Sequence, residues 1–163
     1  MKYWPFILIL FGYISCQTYT EDELEKYAHD VGEVQFDPDL DKADFKRCKK
    51  SETVQHYNLN VTYKGEKPAI LSHFAQKLNA GILPKENGYI SIRFMVNCKG
   101  EMGLFRVTCM DFDMKTTKFD KPTVNTLLQL TKEMKGWPFF DQYNYYQVLT
   151  FKIENSQITE ILP

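Results

Sequence analysis

The side chains best suited to nucleophilic or metal chemistry are four cysteines and three histidines: Cys16, Cys48, Cys98, Cys109, His29, His56 and His73. Their spacing argues against both uses. A structural zinc site draws on closely paired ligands, and the chain has no Cys-x-x-Cys pair and no cysteine–histidine cluster. Catalysis needs a nucleophile, or an acid and a base, held within reach of one another. There is no Gly-x-Ser-x-Gly, no phosphate-binding loop and no His-Glu-x-x-His. Asp111-Phe-Asp113 places two carboxylates just after an apolar run, where a solvated turn is expected. Asp37 to Asp44 begins like a calcium loop, but Lys42 stands where glycine is required and Cys48 where the bidentate glutamate belongs. The sequence therefore predicts no cofactor, no metal and no enzyme activity.

Cys16 has a different context. Lys2 is followed by an uncharged apolar run from Tyr3 to Ile14 and then by Ser15-Cys16, the pattern of a secretory signal. The run is about 18 Å long as a helix, against a hydrocarbon core of about 30 Å, which disfavours a membrane span. Ile14-Ser15-Cys16 resembles the end of a bacterial lipobox, which makes Cys16 the lipid-bearing first residue of the mature protein. Ordinary cleavage just after Cys16 is the competing reading. Export also places the other cysteines in an oxidising compartment, where a disulfide persists.

Charge divides the chain. Residues 17 to 44 hold ten acids and two lysines, a sum of −8, whereas residues 45 to 163 sum to +6. The overall charge of −1 gives no general attraction to nucleic acid. The division reads as a signal peptide over 1–15, an acidic tether over 16–45 and a folded domain over 46–163; an acidic strap lying on its own basic domain fits the same charges.

Within the domain, residues 54 to 63 alternate, with Tyr57, Leu59, Val61 and Tyr63 on one side, predicting a first strand. Pro68 opens a helix whose Ile70, Leu71, Phe74, Ala75 and Leu78 form one face, with His73 and Gln76 directed away. Tyr89 to Cys98 and Met102 to Met110 are strands joined at Lys99-Gly100. Asp120-Lys-Pro122 opens a second helix through Val124, Leu127, Leu128, Thr131 and Met134. An aromatic loop follows from Trp137 to Tyr145, then a strand containing Leu149, Phe151 and Ile153, and a short run from Ile158 to Leu162. The fold class is α+β: a small antiparallel β-sheet with two α-helices packed on one face.

The hairpin constrains the disulfide. If Cys98 faces Glu101 across the turn, Cys109 lies opposite Ile90, about 26 Å away along the strand. A disulfide needs Cα atoms within about 7 Å. Any bridge must then use Cys48, and Cys98 is the favoured partner because Cys109 shares a face with Phe105 and Val107 and reads as core.

The order strand, helix, hairpin, helix, strand resembles the C-terminal domain of TonB, the energy-coupling protein of Gram-negative envelopes. The matching pieces are Gly88-Tyr-Ile-Ser-Ile-Arg-Phe-Met-Val96, Asn97-Cys-Lys-Gly100, Phe105-Arg-Val107, Leu127 through Trp137-Pro-Phe, and Leu149-Thr-Phe-Lys-Ile153. Together they span about Pro68 to Ile153, and Val-Asn-Cys-Lys-Gly-Glu behind a signal and Cys16 is similar to TonB-like lipoproteins of Bacteroidetes. The resemblance implies an envelope protein facing the periplasm, held to a membrane through a lipid on Cys16. It implies binding of an envelope protein or peptide, such as an outer-membrane transporter, by β-augmentation. The accepting edge would be Tyr146, Gln147, Val148, Leu149, Thr150, Phe151, Lys152 and Ile153, open unless Ile158 to Leu162 covers it. Neither an inner-membrane helix nor a long proline-rich spacer is evident, so energy coupling is not expected. The alternative is a structural or assembly component of the envelope that uses the 137–146 aromatic loop as its contact surface.

Overall fold

The computed structural model describes residues 34, 36–38, 40–48, 52–78 and 86–163. Cys16 and the signal segment lie outside them. All of the described residues but Val34 belong to one compact unit, Phe36 to Pro163.

The elements are β1 (Glu52–Gln55), a 3-10 turn (His56–Asn58), α1 (Glu66–Lys77), β2 (Gly88–Val96), β3 (Met102–Met110), α2 (Lys121–Lys132), β4 (Tyr143–Glu154) and β5 (Gln157–Leu162). They form an α+β domain with a five-stranded sheet in the order β1-β4-β2-β3, and β5 also pairs with β4. The sheet is mixed rather than wholly antiparallel, because β1 runs parallel to β4. That pairing links residues about ninety apart, which local periodicity does not reveal.

Two elements follow their sequence signals closely. In the hairpin, Ile90 pairs with Cys109 and Val96 with Met102, and Asn97 Oδ1 accepts from the backbone N–H groups of Lys99 and Glu101, both at 2.9 Å, fixing the turn. Helix α2 is capped by Asp120, whose Oδ2 accepts from Thr123 N at 2.9 Å, with Pro122 in the first turn. Three others depart. The predicted first strand stops at Gln55, and Leu59, Val61 and Tyr63 pack on the core from an irregular segment. Helix α1 buries only Ile70 and Phe74 and leaves Leu71 exposed, while His73 turns inward to place Nε2 2.8 Å from Leu130 O, tying the helices together. Strand β4 begins three residues earlier than expected, because Tyr143 and Tyr145 belong to it rather than to a loop.

One face of the sheet carries the core. Ile90, Ile92, Phe94 and Val96 of β2 meet Tyr145, Leu149, Phe151 and Ile153 of β4 beneath Phe74 and Leu127. The opposite face is polar for most of its length, but residues 40–48 lie across one end. Phe45 sits so close to Gly103 that a Cβ there would be 2.3 Å from its ring. Asn144 brackets the backbone of Cys48, accepting from its N–H at 3.0 Å and donating to its carbonyl at 3.3 Å. Asn97 Nδ2 donates to Lys46 O at 3.0 Å. The strap belongs to the same compact unit as the sheet, Phe36 to Pro163. The cause is burial of Met95 and Tyr146, 0% and 1% exposed, on a face otherwise open to water.

Cys48 and Cys98 are joined by a disulfide with Cα atoms 6.1 Å apart, closing a separation of 50 residues. Cys109 is a half-buried free thiol whose pKa burial pushes up. The chain entropy removed by closing a loop of that length corresponds to about 4 kcal/mol, with measured values more often about 2–4 kcal/mol. The double variant Cys48→Ser, Cys98→Ser should lower unfolding stability by that amount in urea titration. An unchanged midpoint would mean that the strap is held without the bridge.

Candidate functional site

The accepting edge expected at Tyr146 to Ile153 is not an edge. On one side β4 pairs with β2 from Gly88↔Ile153 to Val96↔Tyr145. On the other, β1 pairs with Tyr143–Tyr146 and β5 pairs with Thr150–Glu154. Only Gln147, Val148 and Leu149 have no strand opposite them on that second side. The reason is physical: a twelve-residue strand rich in apolar residues would present a long hydrophobic edge to solvent, and short strands from both ends of the domain cover it. Residues Ile158 to Leu162 do pair there, with Phe151↔Ile161 and Ile153↔Ile158.

The aromatic loop is mostly a cap on the core. Trp137, Tyr145 and Tyr146 are buried, Phe140 and Tyr143 half-buried, and Phe139 alone is largely exposed, at 58%. Trp137 packs edge-to-face on Tyr63 and Phe94 at 5.0 and 5.6 Å. Tyr145 donates to Pro138 O at 2.6 Å, and burial pushes its phenol pKa up. A six-residue aromatic contact surface is therefore reduced to Phe139 and its two half-buried flanks.

The longest strand with one strand partner among the described residues is β3. At its far end Met110 bridges Thr116, and Thr117 N bonds Cys109 O, so residues 115–117 cover that end. The stretch Met102 to Thr108 is left, interrupted by a bulge where Leu104 adopts φ +52°. Bulges of this kind bend an edge and limit promiscuous pairing. Beside this stretch is a small recess of about 80 Å³ between the strap (Leu40, Phe45) and Met102, Phe105 and Lys132. Its charged wall is fixed: Arg106 Nη1 and Nη2 donate to Asp41 Oδ1 and Oδ2 at 2.8 and 2.7 Å, and the Asp41 side chain is 1% exposed. Asp41 also caps its own turn by accepting from Asp37 N at 2.8 Å. Asp41 thus acts as a structural carboxylate.

Other sequence candidates fall into place. Asp111 Oδ1 accepts from Asp113 N and Lys115 N, both at 2.9 Å, as a turn does. No group of three or more His, Cys, Asp or Glu among the described residues is arranged to hold a metal ion. No described helix is long and apolar enough to cross a membrane. The alternative of an acidic strap lying on its own basic domain fits Asp41 on Arg106, but sequence reasoning did not single out Asp41 or Phe45, since nothing local shows that Arg106 and Gly103 lie beside them. Comparison with protein-family models, curated proteins and solved structures finds no match for this chain.

The Arg106 guanidinium holds the Asp41 carboxyl below the usual carboxylate range, outweighing the opposing effect of burial. A depressed carboxylate stabilises the fold above its unfolded pKa of about 3.9 and loses that contribution as pH falls through the folded value. Asp41→Asn should cost about 1.5–3 kcal/mol at neutral pH, the range for a hydrogen-bonded charged pair. The difference from wild type should hold down to about pH 5 and shrink below about pH 4. Denaturant titration across pH checks this; a difference that does not change with pH would mean that Asp41 acts through packing alone.

Proposed function

We propose that this chain is a noncatalytic binding domain of the Gram-negative cell envelope, exported and anchored through a lipid on Cys16, that takes an extended segment of an envelope protein as an added strand. In this reading the accepting edge is β3, over Met102 to Thr108, rather than β4. The observation that carries it is that β3, nine residues long, has β2 as its one strand partner among the described residues. The part of that edge left open, Met102 to Thr108 with its bulge at Leu104, is a template for main-chain pairing. The recess beside it suits a small apolar side chain of the incoming segment, which would supply the specificity that backbone hydrogen bonds lack. The resemblance to the TonB C-terminal domain supports the same mode of binding and an outer-membrane transporter as the class of partner.

Photo-crosslinkers placed singly at positions 102 to 108, in cells expressing the full chain, test the reading. Capture of one outer-membrane protein should alternate along Phe105 to Thr108, because successive residues of a strand face opposite sides. The same scan over Thr150 to Ile153 should capture nothing. Silence across β3 with the protein folded, or capture at a crosslinker placed at Phe139 and at none in β3, would overturn the augmentation reading.

A further inference from the structure

The start of β3 is flanked by positive charge on two sides. Two recesses meet there and share Met102 and Lys132. One is the recess of about 80 Å³ against the strap, which Lys42 also lines. The other, of about 350 Å³, lies between the hairpin turn at Gly100 and the residues that follow α2, with Met134, Lys135 and Trp137 in its wall. Lys42, Lys132 and Lys135 are exposed, and none of them pairs with a carboxylate among the described residues. Lys132 Nζ is 5.3 Å from the centre of the Phe105 ring, which keeps its charge beside the strand.

The acids nearby are engaged elsewhere. Asp41 is the one carboxylate that lines either recess, and both its oxygens accept from Arg106. Glu133 pairs with Lys77, and Glu101 accepts from Asn97 Nδ2 at 2.7 Å. Asp44, exposed on the strap, lines neither recess. From Met102 to Thr108 the strand has no acid, and its one base, Arg106, is the partner of Asp41. Three uncompensated cations therefore surround the open edge from Met102 to Phe105, a length of about 10 Å.

Charge of this kind discriminates among strands. Lysines beside an edge deter a purely apolar strand, which would desolvate them without return. A second copy of this chain is disfavoured too, because pairing β3 with its own copy brings two sets of these lysines together, and like charges opposed across strands are destabilising. An acidic strand gains from the same charges, which speed its encounter with the edge and fix its register.

We propose that the segment added at β3 is acidic: an extended stretch of the partner protein with two or more aspartates or glutamates opposite Met102 to Arg106, read by Lys42, Lys132 and Lys135. This specificity rests on β3 being the accepting edge, and it states the charge of what that edge takes.

The test is a titration of the isotopically labelled full chain, following the backbone amides of Met102 to Thr108 by NMR. The probes are the acetylated and amidated peptide Thr-Asp-Val-Asp-Val-Asp-Val-Thr and its isostere with asparagine in place of each aspartate. At about 50 mM salt the acidic peptide should shift these amides and saturate at about 1 mM or below, and the asparagine peptide should bind about tenfold more weakly. At about 1 M salt, where exposed charges are screened, the difference should shrink to about twofold or less. In the double variant Lys132→Gln, Lys135→Gln, which changes two exposed positions, the acidic peptide should fall toward the asparagine peptide, whose own affinity should stay the same. Equal affinity of the two peptides at β3, or an acidic preference undiminished in the double variant, would overturn the acidic specificity while leaving β3 as the accepting edge. If neither peptide shifts the β3 amides, the specificity and the accepting edge both fall.

Discussion

The structure depends on the two-sided pairing of β4. This strand bonds β2 along one flank and β1 and β5 along the other, so every other strand except β3 is placed by it. Its residues 144 to 147 are buried in succession rather than alternately, since the core covers one face while the strap covers the other. A strand buried on both faces at one end and half-buried at the other needs neighbours that differ along its length. The parallel β1 meets the first part and the antiparallel β5 the second, and the three-residue interruption between them is where neither reaches.

The strap answers a second constraint. Met95 and Tyr146 project from the face of the sheet away from the helices, where isolated apolar residues would be wetted. Phe45 covers Gly103, Arg93 stacks over the Tyr146 ring at 4.1 Å, Arg47 donates to the Tyr146 hydroxyl at 3.3 Å, and the disulfide fixes the strap's end. The buried carboxylate of Asp41 is accommodated because both its oxygens meet one guanidinium. Acidic residues that look like solvated tether in the sequence are in this way part of the fold.

What was legible in the sequence was local. The hairpin register follows from alternation and a polar turn; that register and the reach of a disulfide exclude a Cys98–Cys109 bridge, and the apolar face of Cys109 leaves Cys98 as the favoured partner of Cys48. Helix α2 is announced by Asp120 and Pro122. What was not legible depends on chain segments far apart. Alternation over 54–63 mimics a strand, yet Leu59, Val61 and Tyr63 reach the core without strand pairing. Tyr143 and Tyr145 look like loop aromatics because burial on both faces erases the alternation that marks a strand. The expected edge at Tyr146–Ile153 is lost mainly to β5, a covering that the apolar run Ile158 to Leu162 made legible, whereas the parallel pairing of β1 with Tyr143–Tyr146 is encoded by no neighbouring residue.

Hydrogen exchange resolved to single amides tests the central position of β4 most directly. With partners on both flanks, the amides of Thr150 to Ile153 should exchange only through global unfolding, whereas alternate amides of Phe105 to Thr108, on the outer flank of β3, should exchange about a thousandfold faster or more. If alternate amides over Thr150 to Ile153 exchanged as fast as those of β3, the outer flank of β4 would be open to solvent, contradicting its place between β2 and β5.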